Sequence, residues 1–232
     1  MEKTDKKVIF WDFDGTLTFS SFMWGEAVFS SLKKIWPDAP FTQEQMWWNV
    51  VSTGFTWHTP LEDHTKSVGA QFWIDLHEHF REEMEKLGIA PEIAKEAAYG
   101  VREEILRVEN YVVQPDAKRV LEACREKGYE NWLLSNNYPE LPELMESLEL
   151  AECFDGMVVS AIEGYDKPHP RLFEIALRRA GQPEIAYMVG DNPVADIAGG
   201  KAAGMVTILV HKEKECPRDH FCETLSDILK IV

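Results

Sequence analysis

The chain opens with a short unbroken apolar run, Val8-Ile9-Phe10-Trp11, which stops at Asp12-Phe13-Asp14-Gly15. Four apolar residues ended by a turn read as a strand buried on both faces, the pattern of parallel sheets. From residue 19 to residue 113 the period becomes helical. Phe22, Met23, Ala27, Val28, Ser31, Leu32 and Ile35 share one helical face, and Trp36-Pro37-Asp38-Ala39-Pro40 ends it. Thr42 and Gln45 form a capping box that opens a helix through Val51. Residues 52–60 read as an irregular loop. The spacing then predicts a helix over Leu61–Leu87, with a break near Gly69 and a C-cap at Gly88, and another from Pro91 to Arg107.

From Gln114 strands and helices alternate. Strands are predicted at Glu130–Leu134, Met157–Ser160, Ala186–Val189 and Met205–Val210. Helices are predicted at Asp116–Lys127, after Asn137 to Leu148, from an opening at Lys167-Pro168-His169-Pro170 to Ala180-Gly181, at Pro193–Ala203 and at Thr224–Ile231. The expected fold class is α/β: a Rossmann-like, doubly wound parallel sheet with an all-helical insertion. Residues 1–18 and 114–232 would form the sheet core and residues 19–113 a helical cap. The cap would leave near Thr18 and return near Val113, a natural hinge. Six of the eight tryptophans fall in it. They read as helical core, or as an aromatic face over a pocket, with the loop residues Phe55, Trp57 and His58 as its candidate contacts.

Charge narrows the partners. The net charge is −16, which argues against nucleic acid, since phosphate backbones recruit basic patches. Nothing near the start resembles a signal peptide and no apolar run is long enough to span a membrane, so a cytoplasmic monomer or homodimer is expected. Cys124, Cys153, Cys216 and Cys222 are scattered and read as reduced. Cys216 and Cys222 with His211 and His220 fit no common zinc spacing.

Four predicted strand ends carry polar residues. Asp12 and Asp14 sit two apart, so in extended chain their side chains share a face. Ser135 and Asn136 follow the second strand, Lys167 follows the third, and Asp191 with Asp196 follows the fourth. In a parallel sheet these ends share one edge, where ligands bind. Carboxylates, small donors and one ammonium gathered there suit a phosphoryl group with Mg²⁺. Each residue also has an ordinary reading: an Asp-Gly turn, turn residues, a surface lysine, a carboxylate at a helix start.

The sequence resembles the haloacid dehalogenase superfamily, specifically its phosphatase-type members with a helical cap after the first motif, similar to phosphoglycolate phosphatase. Four motifs appear in order: Asp12-Phe13-Asp14-Gly15-Thr16, Leu134-Ser135-Asn136, Lys167-Pro168 and Gly190-Asp191-Asn192-Pro193-Val194-Ala195-Asp196. The resemblance implies Asp12 as the nucleophile that becomes an aspartyl-phosphate and Asp14 as acid, then base. It implies Ser135, Asn136, Gly15 and Thr16 around the phosphate and Lys167 as counter-charge. Mg²⁺ would be held by Asp12, Asp191 and the carbonyl of Asp14, with Asp196 as an outer ligand or an orienter of Lys167. Many relatives carry Asp-Ser shortly after the first motif, where this chain has Thr18-Phe19-Ser20-Ser21.

The expected function is Mg²⁺-dependent hydrolysis of a small phosphorylated metabolite. Dehalogenation needs no second carboxylate, so Asp14 argues against it. Phosphoryl transfer by a mutase, or a non-catalytic binding protein on the same fold, are the alternatives. Gly199-Gly200-Lys201-Ala202 lacks the first glycine and the final Ser/Thr of a phosphate-binding kinase loop.

Overall fold

The computed structural model describes residues 6–19 and 23–232, with Met23 as backbone alone. The expectations for the charged lead-in at residues 1–5 and for Ser20, Ser21 and Phe22 lie outside the described residues.

The first strand, β1 (Lys7–Trp11), lies in the middle of the sheet. It pairs in parallel with β2 (Tyr129–Ser135) on one side and with β4 (Ile185–Gly190) on the other. β3 (Gly156–Val159), β5 (Val206–Val210) and β6 (His220–Cys222) complete a six-stranded parallel sheet of order β3-β2-β1-β4-β5-β6. Side chains alternate across it as strand geometry requires. Val8 and Phe10 pack with Leu134, Met188 and, from the helix Pro170–Arg179, Leu172 and Phe173. Ile9 and Trp11 face the other way, onto Val120, Leu121 and Cys124 of the helix Ala117–Glu126. Both faces are covered, which is why β1 is apolar at every position rather than at alternate ones. One polar pin crosses this core: the Trp11 indole donates to Asn131 Oδ1 at 3.0 Å, and Asn131 Nδ2 donates to the carbonyls of Leu121 and Cys153.

Between β1 and Val113 the described residues contain only helices and loops. The α-helices are α1 (Met23–Ile35), α2 (Gln43–Met46), α3 (Ala70–Lys86) and α4 (Pro91–Ile105), with short turns of other helical type at Thr56–His58 and Val108–Asn110. The capping box at Thr42 and Gln45 is present, with both reciprocal hydrogen bonds. The two crossings into and out of this helical segment run side by side: Thr18 bridges Val113, Phe19 N–H donates to Val112, and Gln114 N–H donates to Leu17. Among the described residues no helix is long and apolar enough to cross a membrane.

Several predicted elements differ. The helix expected over Leu61–Leu87 begins only at Ala70, because Gly69 sits at φ +57° and the preceding residues bond elsewhere. His64 N–H donates to Gly164 and Gly69 N–H to Ala161, so this stretch docks on the segment after β3 instead of coiling on itself. The helix opened at Thr42 loosens into a π-helical turn over Trp47–Val51. The predicted helix Pro193–Ala203 is likewise π-helical over Pro193–Ala198 before a short α-helical turn, and the last helix is 3₁₀ over Leu225–Lys230. The edge strand β6, of three residues, was not anticipated; so short an edge carries no periodicity to read.

Candidate active site

From β1 the chain adds β2 and β3 on one side and then β4 on the other, so the strand order reverses between β1 and β4, and the crevice at the carboxyl ends of strands at such a point is where open α/β sheets bind ligands. Asp12 immediately follows β1, its N–H still paired to the Val189 carbonyl at 2.9 Å. Gly15 turns the chain at φ +81°, and a Cβ there would lie 2.9 Å from Asp191 Oδ1. The tight turn and the close approach of Asp191 therefore both require glycine.

Asp12 is buried and held by three neighbours. Lys167 Nζ donates to its Oδ1 at 2.7 Å, Ser135 Oγ donates to the same oxygen at 3.2 Å, and Thr16 Oγ1 donates to Oδ2 at 3.4 Å. Lys167 also donates to Asp196 Oδ1 at 2.6 Å. Burial works against its charge, but Asp12 and Asp196 outweigh that and hold the ammonium above its ordinary value. Asp196 is fully buried; its Oδ2 accepts from Asn192 N–H at 3.0 Å. A Cβ at Gly190 would fall 2.2 Å from Asp196 Cγ, so the strand end is glycine to admit this carboxylate. Asn136 uses both ends of its amide to brace the backbone of Lys167: Nδ2 donates to the Lys167 carbonyl at 3.0 Å, and Oδ1 accepts the Lys167 N–H at 2.6 Å.

Asp14 is set apart from this network. Its Oδ2 accepts from Asn137 Nδ2 at 2.7 Å, and its buried Oδ1 has no partner. Burial first, then the negative charge of Asp12, push its carboxyl up to about 7. Near neutral pH it can hold a proton. Asp191 is also raised, by burial and then by Asp12, while Lys214 pulls it back.

Oxygens of Asp12, Asp191 and Asp196 lie within 4.8 Å of one another. A cluster of hard anionic oxygens of this kind suits a divalent cation such as Mg²⁺. Both oxygens of Asp196 are engaged, by Lys167 and Asn192, and Asp12 keeps its Oδ2 with only the long 3.4 Å contact from Thr16, while the Asp191 carboxylate is met by Lys214 at 3.3 Å.

The cavity above these groups has a volume of about 610 Å³. Asp12, Asp14, Asn136, Lys167, Asp191 and Asp196 line its floor. Gly15, Thr16 and Ser135, expected around the phosphate, do not line it: they lie just behind Asp12, and the Thr16 and Ser135 hydroxyls point to the Asp12 carboxylate. The roof is aromatic, with Trp24, Trp47 and Trp57. The loop expected to provide the contacts is divided by the structure. Trp57 reaches the cavity. Phe55 is buried and stacks on Trp57 at 4.2 Å, while His58 lines a separate cavity with His64 and Asp75.

Sequence reasoning left Trp24 and Trp47 open between helical core and an aromatic face over a pocket, and it missed two side chains from the loop after β5. Lys214 donates to the Asp191 carbonyl, and His211 Nε2 lies 2.8 Å from the Thr16 carbonyl. His211 sits at φ +67°, unusual for a residue with a Cβ and the one local sign that this loop is constrained.

A family model described as haloacid dehalogenase-like hydrolase matches residues 6–204. The phosphoserine phosphatase of Thermus thermophilus is 39% identical over 135 residues, which is 57% of this chain and 53% of that protein. The glyceraldehyde 3-phosphate phosphatase of Pyrococcus furiosus is 36% identical over 96 residues, 40% of each chain. The chain thus spans about half the length, or less, of these curated relatives. Among solved structures, the magnesium-bound HAD-hydrolase YfnB of Bacillus subtilis superposes with a TM-score of 0.74 at 17% identity, covering 97% of this chain and 98% of that one, a likeness of fold. With the family match running through most of the chain and the carboxylates gathered at the strand ends, the protein belongs to the haloacid dehalogenase-like hydrolases.

Proposed function

We propose that the protein is a cytoplasmic, Mg²⁺-dependent phosphatase of small phosphorylated metabolites. The observation that carries this reading is the unequal pair Asp12 and Asp14: one carboxylate held by an ammonium and two hydroxyls, the other isolated and poised to keep a proton. Phosphatase names among the relatives agree with it, and four unpaired cysteines suit a reducing compartment.

In this reading an Asp12 oxygen attacks phosphorus while the ester oxygen leaves, taking the proton from Asp14. Asp14, now a carboxylate, takes a proton from water, which attacks the phosphorus of the aspartyl-phosphate. Inorganic phosphate leaves and Asp12 is restored. Lys167 stays charged throughout and offsets the negative charge brought to Asp12. Asp196 and Asn136 fix where Lys167 stands. When bound at Asp12 and Asp191, Mg²⁺ supplies charge neutralisation for the phosphoryl oxygens. Residues 19–113 act as a cap that excludes water, hinged at the paired crossings beside Thr18 and Val113.

The test is rapid quenching with a phosphate ester labelled at phosphorus. Label should appear on the protein in a stoichiometric burst, be released by hydroxylamine, and be absent from Asp12→Asn. Turnover with no protein-bound label, or full activity in EDTA, would overturn the mechanism.

A further inference from the structure

The roof of the cavity carries information about the leaving group. Trp24, Trp47 and Trp57 line it with Pro60, Pro168 and Val194. Trp24 and Trp57 have ring centroids 6.1 Å apart, and Phe55 backs both, stacked on Trp57 at 4.2 Å and edge-on to Trp24 at 4.7 Å. Rings this close touch each other and leave no room for a guest between them. They make one continuous wall, not a box of separated rings around a cation.

The charges point the same way. Among the described residues Lys167 is the one cationic side chain lining the cavity, and its ammonium is committed to Asp12 and Asp196. Three basic residues of the helical segment are engaged elsewhere: Lys34 with Glu104, Arg81 with Glu78 and Glu85, and Arg102 with Glu140. With Mg²⁺ serving the phosphoryl oxygens in the proposed reading, a carboxylate on the leaving group would enter a site rich in aspartates with no further side-chain cation lining it, and its desolvation would go uncompensated. Hydrogen-bonding readers are also scarce. Asn136 spends its amide on the Lys167 backbone, and Asn192 Oδ1 accepts from the N–H groups of Val194 and Ala195.

Resting on the phosphatase reading, we propose that the substrate is a phosphate monoester of an alcohol that bears a flat aromatic ring and no second anionic group, the ring lying against the Trp24–Trp57 wall. Ring shape and apolar area are recognised, not ring-edge hydrogen bonds. This separates the protein from enzymes whose ester carries a carboxylate beside the phosphate.

Benzyl phosphate and phosphoglycolate test it. Each places the phosphate on a primary carbon, and they differ in carrying a phenyl ring or a carboxylate. The native protein should turn over benzyl phosphate with kcat/KM at least about tenfold higher, the range that one well-placed aromatic contact and one unpaired charge supply. Trp57→Ala and Trp24→Ala should each shrink that ratio by about threefold or more, through KM rather than kcat. Trp57→Leu serves if an alanine variant fails to fold. Calorimetric Kd values on Asp12→Asn, which binds without turnover, should rank the two esters in the same order. Phosphoglycolate equal to or better than benzyl phosphate in that binding ranking overturns the proposal, as does an equal loss on both esters in the tryptophan variants. Absence of turnover of any ester by the native protein would instead strike the phosphatase reading, and the binding ranking would still decide the leaving-group class.

Discussion

Lys214 grips Asp191 at two points: its ammonium donates to the Asp191 carbonyl at 2.7 Å and lies 3.3 Å from Oδ2 of the same residue. A fixed positive charge thus stands beside a carboxylate proposed to hold Mg²⁺. Lys214 is partly exposed, so solvent screens much of its effect. Lys214→Met should lower the Mg²⁺ concentration for half-maximal activity by about two- to threefold. A Mg²⁺ titration checks this. A higher requirement would mean that Lys214 serves to hold Asp191 in place rather than to compete with the cation.

Asp12→Asn should abolish turnover with the fold intact, because an amide does not attack phosphorus. Asp14→Asn should slow alkyl phosphates by roughly 10²-fold or more, and p-nitrophenyl phosphate much less, since nitrophenolate leaves without a proton. Steady-state rates on both esters, with circular dichroism as the folding control, decide it. An equal loss on the two esters would remove Asp14 from the acid role.

Lys167 neutralises two buried carboxylates at once. Lys167→Met leaves Asp12 and Asp196 buried without a counter-charge, a change that costs roughly 3 kcal/mol. For a chain of this size that corresponds to a fall in Tm of about 6–12 °C. Mg²⁺ should recover part of the loss in the variant, because it can take over the compensation of Asp12. Scanning calorimetry with and without Mg²⁺ measures both quantities; an unchanged Tm in EDTA would contradict the ion-pair account.

His77 gives stability a pH dependence of its own. It is buried between Trp73 and Tyr99 with Nε2 unpartnered, and burial and then Arg102 lower its pKa to about 4. Between about 6.5 and 4 the unfolded chain takes up a proton at this site and the folded chain does not. The contribution is complete above pH 6.5 and is lost as pH falls through that window. His77→Phe should flatten the decline over the same range, seen in urea midpoints at pH 7, 6 and 5. Parallel declines in the two proteins would assign the pH dependence to other groups.

What was legible in the sequence is what the chain encodes locally. Asp12 and Asp14 could be placed because an apolar strand and a glycine turn flank them, and the other strand-end residues follow the same punctuation. Trp24 could not be placed at the cavity, since a tryptophan at helical spacing reads alike whether it faces a core or a ligand. Lys214 was invisible for another reason: only tertiary folding brings the loop after β5 onto the Asp191 carbonyl. The false helix over residues 61–69 shows the same limit from the opposite side. Leu61 is 71% exposed and the local backbone bonds to Gly164 and Ala161, partners no sequence window contains.

The central position of β1 also sets an order of events during synthesis. Lys7 pairs with Tyr129 and Ile185, so the strand in the middle of the sheet is made well before both of its neighbours. While the helical segment is translated, with its local packing of α1, α3 and α4, the apolar run from Val8 to Trp11 has no sheet to join. A nascent chain of this protein must therefore carry an unpaired, aggregation-prone strand past the assembly of its helices, and chaperone demand should fall sharply once the ribosome has passed β4.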